Sequence, residues 1–337
     1  MKVWMFPKTS ETNQYNYLLS NSLEKKGVDV RNFRQRYIFK IKKGDIVHMH
    51  WIHSLYQSHN RLFFLIKSIL LLLIIGLMKF RGIKFIWTIH NLYPHHYEYK
   101  NYEKWVRKRV MNKCDKLITC ANSIKDLVIQ EFNINPRKIS VIPHGDYVGV
   151  YKFEGLDFRK VYNIPEDNFV YLFLGAIKRY KGVEELIESF QQMNDLKSTL
   201  IIAGKADEET KIFLEGINNQ NIIKDIRFIP DNEVADLIKV ADVFVLPYKN
   251  ITTSGSAILA LSFKKPVVSP VNPFMKEYFD ENTAVLYEKD SGLLKSLYNV
   301  KQKTFFDEDF NEKLERINWG IIGEKTMLCY LSAVKVV

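Results

Sequence analysis

The residues best suited to chemistry in this chain are a few cations, hydroxyls and histidines beside apolar runs. Lys181, in FLGAIKRYKG, follows the apolar run that ends at Gly175. A compact ammonium there can neutralise charge building on a departing phosphate without a metal, and Lys178 and Arg179 lie just before it. In TTSGSAILAL (Thr252 to Leu261), small hydroxyl residues and a glycine open a helical pattern directly after a strand and loop. Backbone N–H groups and the helix dipole suit a phosphate at such a place, with Ser254, Gly255 and Ser256 lining it and Thr253 as a nearby hydroxyl. A plain helix cap uses the same residue types. His90 ends the run KFIWTIH, where a side chain is free to point toward a ligand. A neutral imidazole there is a base near pH 7, a contact for substrate, or a core or capping residue. His95 and His96 follow closely and read either as a surface loop or as phosphate contacts; His144, before Gly145, reads as a hinge or a ligand-facing residue. The acidic run Asp307 to Asp309 reads as solvated surface. No His, Cys or Asp grouping has convincing metal spacing, so no catalytic metal is expected.

The elements that must position these residues alternate. In the first half, strands are expected at Lys2–Phe6, Val28–Phe33, Asp45–Trp51, Lys84–His90, Lys116–Ala121 and Lys138–Gly145. Helical patterns separate them at Tyr15–Lys26, before Lys84, at Tyr102–Asn112 and at Ser123–Phe132. The second half repeats this, with strands at Phe169–Gly175, Ser198–Gly204, Asp225–Pro230, Asp242–Tyr248 and Pro266–Pro270. Helices are expected at Gly182–Met193 and Val234–Ala241, and a last one at Asn318–Val334. Strands alternating with helices imply parallel sheets covered on both faces, and open parallel sheets bind ligands beyond the carboxyl ends of their strands. The pattern predicts an α/β protein of two Rossmann-like, doubly wound domains, 1–150 and 151–317, with a C-terminal helical segment 318–337. No GxGxxG follows the first strand, and there is no GxxxxGK[ST], which removes the best signatures of a dinucleotide oxidoreductase and a P-loop enzyme.

Composition narrows the class further. A chain of 337 residues suggests two domains at roughly 100–200 residues each. A hydrophobic content of 47% argues against extensive disorder. Three cysteines without a CxxC pair fit a reducing compartment. MKVWMFP lacks the apolar core of a signal peptide and reads as a first buried strand, so a cytoplasmic protein is expected. Residues 1–160 hold 28 Lys plus Arg against 12 Asp plus Glu, whereas residues 161–337 hold 21 against 26. That asymmetry suggests an anionic partner for the first half: nucleic acid, an anionic membrane face or a phosphorylated lipid. Nucleic acid fits poorly, because the aromatics interleave with apolar strands rather than forming a basic stacking surface.

The stretch Leu62 to Phe80 is the most hydrophobic and approaches the roughly 20 residues of a membrane span. Lys67 interrupts it. Three readings stand: a buried helix, a helix partly dipping into the membrane surface, and a span, which would cut the first α/β unit in two. Lys67, Lys79, Arg81 and Lys84 suit an anionic surface, so peripheral attachment at the inner face of the cell membrane is the membrane-bound alternative.

Five segments in order carry a family resemblance: Ile86–His96, Val141–Tyr151, Phe173–Phe190, Leu200–Ala206 and Pro247–Pro270. Together they resemble bacterial GT-B glycosyltransferases that use nucleotide sugars (glycosyltransferase family 4, group 1-like), over roughly the whole chain. The resemblance implies two domains facing a central cleft, an acceptor-binding first domain, and a last helix crossing back to it. It implies hexosyl transfer from a UDP- or GDP-linked sugar to a saccharide acceptor, lipid-linked given the basic half, in surface polysaccharide synthesis. The nucleotide sugar is a co-substrate, with no further cofactor. Lys181 would contact the donor diphosphate, with Gly175, Lys178, Arg179, Gly204, Thr253, Ser254, Gly255 and Ser256 around the donor. His90 would act on the donor sugar or reacting groups, and His95, His96 and His144 would face the acceptor or cleft. One large branch carries two glutamates about eight positions apart where this chain has Ile251 and Leu259, so this chain resembles a divergent branch. Asp231 and Glu233 are substitute ribose contacts. The missing pair also favours a second reading, a GT-B-like protein that binds glycan, lipid or a partner enzyme without catalysis.

Overall fold

A computed structural model describes residues 1–10, 13–94, 99–248, 252–288 and 292–335. The chain divides into two compact units, Met1–Gly145 with Ile317–Val337, and Asp146–Arg316. The division falls after Gly145 rather than after residue 150, because Asp146 and the turn behind it already pack with the second unit.

The first unit contains β1 (Lys2–Phe6), α1 (Tyr15–Glu24), β2 (Asp29–Asn32), β3 (Ile46–Met49), α2 (Arg61–Phe80), β4 (Lys84–Ile89), α3 (Lys100–Lys113), β5 (Lys116–Thr119), α4 (Asn122–Phe132) and β6 (Ile139–Val141). Its six strands lie in the order β2-β1-β3-β4-β5-β6, all pairs parallel. Every residue of β3 is buried, as expected for a strand covered on both faces. The core joins Val3 and Met5 of β1, Leu19 and Leu23 of α1, Ile86, Ile118, and Ile322 and Tyr330 of the last helix.

The second unit contains α5 (Phe158–Val161), β7 (Phe169–Leu174), α6 (Val183–Met193), β8 (Ser198–Ala203), α7 (Glu208–Glu215), β9 (Ile222–Asp225), α8 (Asp231–Val240), β10 (Val243–Val245), α9 (Gly255–Ser262), β11 (Val267–Pro270), α10 (Pro273–Tyr278), β12 (Ala284–Tyr287), α11 (Gly292–Lys301) and α12 (Asp307–Ile317). Its strand order is β12-β11-β10-β7-β8-β9. The last helix, α13 (Trp319–Lys335), returns to the first unit. It crosses α1 closely at Gly323, where a Cβ would lie 2.0 Å from Ser22 Oγ.

Two expectations need correction. The strand expected at Asp225–Pro230 is instead Ile222–Asp225; it is an edge strand, half-buried over most of its length, so its apolar signal is weak, and Phe228 beyond it is exposed. α2 is not a fully buried helix. Its buried stripe is Phe64, Ser68, Leu71, Ile75 and Met78, at the 3-to-4 spacing of one helix face. The opposite face exposes Leu62, Phe63, Ile66, Ile69, Leu73 and Leu77. Asp307 to Asp309 form the first turn of α12, where Asp307 pairs with Lys264 at 2.7 Å and negative charge suits the helix dipole.

One buried ion pair fixes the chain beyond β4. Arg107 and Glu103 of α3 are both almost fully buried and meet at 2.7 Å. Tyr56 donates to the same carboxylate, and Arg107 donates to the carbonyl of Asn91 at 3.1 Å. Removing one partner of such a pair leaves an uncompensated buried charge, at a cost of about 3–5 kcal/mol. Arg107→Ala is therefore expected to lower the melting temperature of the protein by roughly 10 °C, at 2–4 °C per kcal/mol for a domain of this size, as scanning calorimetry would show. An unchanged transition would mean that this pair does not hold the segment after His90.

Candidate active site

In the second unit the expected donor residues gather at the carboxyl ends of β7 and β8. These strands pair in register from Phe169↔Ser198 to Leu174↔Ala203, which sets Gly175 and Gly204 side by side. Both have φ of 140°, a backbone open to glycine, and a Cβ on Gly204 would lie 1.9 Å from the Gly175 carbonyl oxygen. A Cβ on Gly175 would lie 2.9 Å from Ser256 Oγ and 3.7 Å from Lys181 Nζ. Lys181, Ser256 and two glycine backbones thus share one place. Gly182 allows the turn that delivers Lys181: its φ is 74°, and a Cβ there would strike the Pro247 carbonyl oxygen at 2.1 Å. The Lys181 ammonium lies 5.1 Å from the centre of the Tyr248 ring and is in no ion pair among the described residues.

α9 opens at Gly255 with Ser254 as its cap, its hydroxyl accepting from the Ala257 N–H at 3.0 Å. Ser256 Oγ donates to the Leu174 carbonyl at 2.9 Å and ties α9 to β7. The capping role expected for these residues is therefore present, and the first-turn N–H groups of an eight-residue helix remain a positive dipole end beside Lys181. Arg179 is placed differently. Its guanidinium pairs with Glu184 at 3.3 Å and Glu209 at 2.7 Å, which binds it to α6 and α7. Lys178 is half-buried and its carbonyl accepts from the Lys181 N–H at 2.8 Å. Glu233 is paired with Arg227. Thr253 is half-buried just before the cap, and Leu259 is half-buried on α9.

In the first unit His90 lies just past β4 and His50 just past its parallel neighbour β3. His50 Nδ1 and His90 Nε2 are 3.1 Å apart. Trp51 stacks on the His90 ring at 4.8 Å and 14°, and Tyr15 meets it edge-on at 5.1 Å. Tyr15 also lies 4.7 Å from His144, whose Nδ1 donates to the Gly145 carbonyl at 2.7 Å. Behind them His48 bonds Tyr330 and Thr88, both at 2.7 Å. Burial, with neighbouring imidazoles, lowers His90 to about 3, and burial lowers His48 to about 3 and His144 to about 4. All are neutral at physiological pH. His50 Nε2 is buried with no hydrogen-bond partner among the described residues. A bare lone pair is the less costly orphan than a bare N–H, so His50 carries its proton on Nδ1 and donates to His90 Nε2. His90 then holds its own proton on Nδ1. With Nε2 occupied and basicity this low, His90 fits a substrate-contacting role and makes a poor proton acceptor.

His95 and His96 lie outside the described residues. Asp146 was not anticipated. It is buried, and desolvation raises its carboxyl to about 6, the range in which a carboxylate serves as a general base near neutrality. Nor were His48, His50, Trp51 and Tyr15, although HMHW carries a signal: alternate histidines at the carboxyl end of a strand lie on one sheet face.

Comparison with known proteins agrees with this fold. The family Glycosyltransferase Family 4 matches residues 14–145, and Glycosyl transferases group 1 matches residues 156–301. A GDP-mannose:glycolipid 4-beta-D-mannosyltransferase of Xanthomonas campestris pv. campestris is 25% identical over 96% of this chain and 90% of its own length. An O-antigen chain mannosyltransferase of Salmonella typhimurium is 22% identical over 69% of this chain and 65% of its own. Among solved structures, HepE of Anabaena in complex with UDP superposes with a TM-score of 0.71 at 14% identity, covering 97% of this chain and 99% of that one. The sucrose-phosphate synthase of Thermosynechococcus elongatus gives a TM-score of 0.71 at 15% identity, covering 98% of both chains. The two parallel six-stranded sheets are those of the GT-B fold, and the protein is a glycosyl-transferring enzyme. The chain belongs to the GT-B glycosyltransferases of family 4, group 1.

Proposed function

We propose that this glycosyltransferase moves a mannosyl residue from GDP-mannose to a lipid-linked saccharide, with inversion, at the inner face of the cell membrane during surface polysaccharide assembly. The observation that carries the donor half is the Lys181 ammonium, in no ion pair among the described residues, beside Gly175, Ser256 and the start of α9. A diphosphate leaving group placed there meets a cation and a helix dipole end with no metal involved. The similarity to a GDP-mannose:glycolipid mannosyltransferase over nearly the full chain favours guanosine and mannose over other nucleotide sugars. A β product from an α-linked nucleotide sugar requires inversion, and the apolar Leu259, in place of a glutamate, accords with a mechanism distinct from the retaining branch. Inversion needs a base for the acceptor hydroxyl; Asp146, which accepts from the Val148 N–H at 3.1 Å and is raised to about 6 by burial, is the candidate for that role. The apolar outer face of α2 and the basic first half suit an acceptor presented by a membrane.

The test is a thermal-shift panel of GDP, UDP, ADP and their sugar conjugates, followed by NMR of the anomeric proton of the product. A ligand that binds the native state raises its melting temperature, by about 2.7 kcal/mol of stabilisation at 100 times Kd. GDP and GDP-mannose are expected to stabilise the protein and a β-mannoside to form. Stabilisation by uridine nucleotides alone would refute the donor assignment, and an α product would refute inversion.

A further inference from the structure

The 3-10 turn Gln35–Lys40 separates two cavities of opposite character. On one side lies an apolar cavity of about 170 Å³ under α2, lined by Phe33, Ile38, Met49, Leu71, Ile74 and Met78 among others. Its rim carries Gln35, Lys67 and Leu70, and Leu70 is also exposed. The cavity mouth is therefore continuous with the outer apolar face of α2. On the other side is a polar cavity of about 540 Å³ lined by Trp4, Lys8, Arg31, Arg34, Tyr37 and Lys40 among others. Lys8 is neutralised by Glu24 at 2.6 Å and Arg31 by Asp29 at 3.1 Å. Arg34 and Lys40 are in no ion pair among the described residues, and Lys40 Nζ lies 5.2 Å from the Tyr37 ring centre. Arg81, at the end of α2, donates to the carbonyls of Ile38 and Ile41, each at 2.8 Å, and so ties the turn to the helix. Phe39, at the tip, is 85% exposed.

An apolar slot that opens onto an exposed apolar helix, with two cations on the adjoining turn and its N-cap that are in no ion pair among the described residues, matches the chemistry of one molecule with a hydrocarbon chain and an anionic head. We propose that the turn Gln35–Lys40, its N-cap Arg34 and α2 form a site for a single anionic phospholipid of the bilayer, a short segment of one acyl chain in the cavity under α2 and its phosphate on Arg34 and Lys40. The inference deepens the membrane reading above and rests on it. With α2 lying along the interface, Phe39, Leu73 and Phe80 enter the acyl boundary, and the bound lipid fixes the rotation of the first unit about the helix axis.

Vesicle co-sedimentation of the full chain tests this, with phosphatidylcholine alone and with added phosphatidylglycerol. Wild type is expected to prefer the anionic vesicles. Arg34→Ala with Lys40→Ala should weaken that binding about five-fold per charge removed. Lys152→Ala with Lys160→Ala, a charge-matched pair on the second unit, should behave as wild type. Ile74→Phe and, separately, the surface substitution Gln35→Trp close the cavity without changing charge and should also weaken anionic binding several-fold, with folding checked by circular dichroism. Absence of wild-type binding to either vesicle would overturn the membrane reading and the site together. Wild-type binding that survives both closures would overturn the lipid site alone, leaving a plain basic surface, as would loss in the charge-matched control equal to that of the Arg34 and Lys40 pair.

Discussion

Lys181→Ala is expected to lower kcat/KM roughly 100- to 1,000-fold, the scale of losing one preorganised group that faces developing charge. The ammonium sits by Gly175 and Ser256, and no carboxylate among the described residues competes for it. Phosphate charge grows as the glycosidic bond breaks, so the larger share of the loss should fall on kcat. The melting-temperature gain from the nucleoside diphosphate should also shrink, because ground-state phosphates already carry charge. Lys181→Arg is not a conservative rescue. The planar guanidinium needs more room than a point charge, and the close approach of Gly182 to the Pro247 carbonyl fixes where the side chain starts. Arg179→Ala provides the contrast: its guanidinium is already held by Glu184 and Glu209, so a change within a few-fold is expected. Equal losses at the two positions would mean that Arg179 leaves its carboxylates when donor binds, and the assignment of Lys181 as the principal phosphate contact would fall.

The cluster at the ends of β7 and β8 was readable from sequence because its parts are local. FLGAIKRYKG carries the strand end, the glycine and the lysine within ten residues, and the Ser254 cap lies inside one short segment. Buried parallel strands such as β7 and β8 are continuous apolar runs bounded by glycine, and periodicity finds them. The edge strand β9 has no such run, and β12, only four residues long and half-buried at Val285 and Leu286, was likewise not anticipated. Both border the sheet, where burial is one-sided and the apolar signal thins.

The first-unit cluster was harder to read for a different reason. His50 and His90 are forty positions apart, and only the parallel register of β3 and β4 sets them 3.1 Å from each other. No local motif encodes a register. The low basicity of His90 is likewise a property of its burial among other imidazoles, which residue type alone does not reveal. Asp146 presents the same problem: the sequence shows an ordinary aspartate after His144 and Gly145, and only its desolvation marks it as a group tuned toward neutrality.

That tuning makes Asp146→Asn the sharpest test of the reaction. As general base, Asp146 contributes on the scale of 10²–10⁴ to the rate, and the asparagine variant should lose activity by that order. In wild type the acid limb of kcat/KM should fall near pH 6, where the carboxyl takes up a proton. His90, lowered to about 3, cannot produce a limb there. The stability change has the opposite sign to the activity change. A carboxyl raised from about 3.9 to about 6 stabilises the fold only while protonated, and that contribution disappears as pH rises through 6. Near pH 8 the buried charge costs about 3 kcal/mol, at 1.36 kcal/mol per pK unit. Asp146→Asn should therefore melt higher than wild type at pH 8, by about half as much at pH 5, and show little difference only below about pH 4. The buried histidines act in the reverse direction. With native values lowered below about 6.5, their contribution is complete above that pH and is lost as pH falls toward 3, by about 2 kcal/mol at pH 5 for His90 alone, so both proteins should melt lower at pH 5. A variant that loses activity while gaining stability at alkaline pH is one whose native carboxylate is kept for function. A variant that loses both would make Asp146 a structural residue and leave the base to be sought elsewhere.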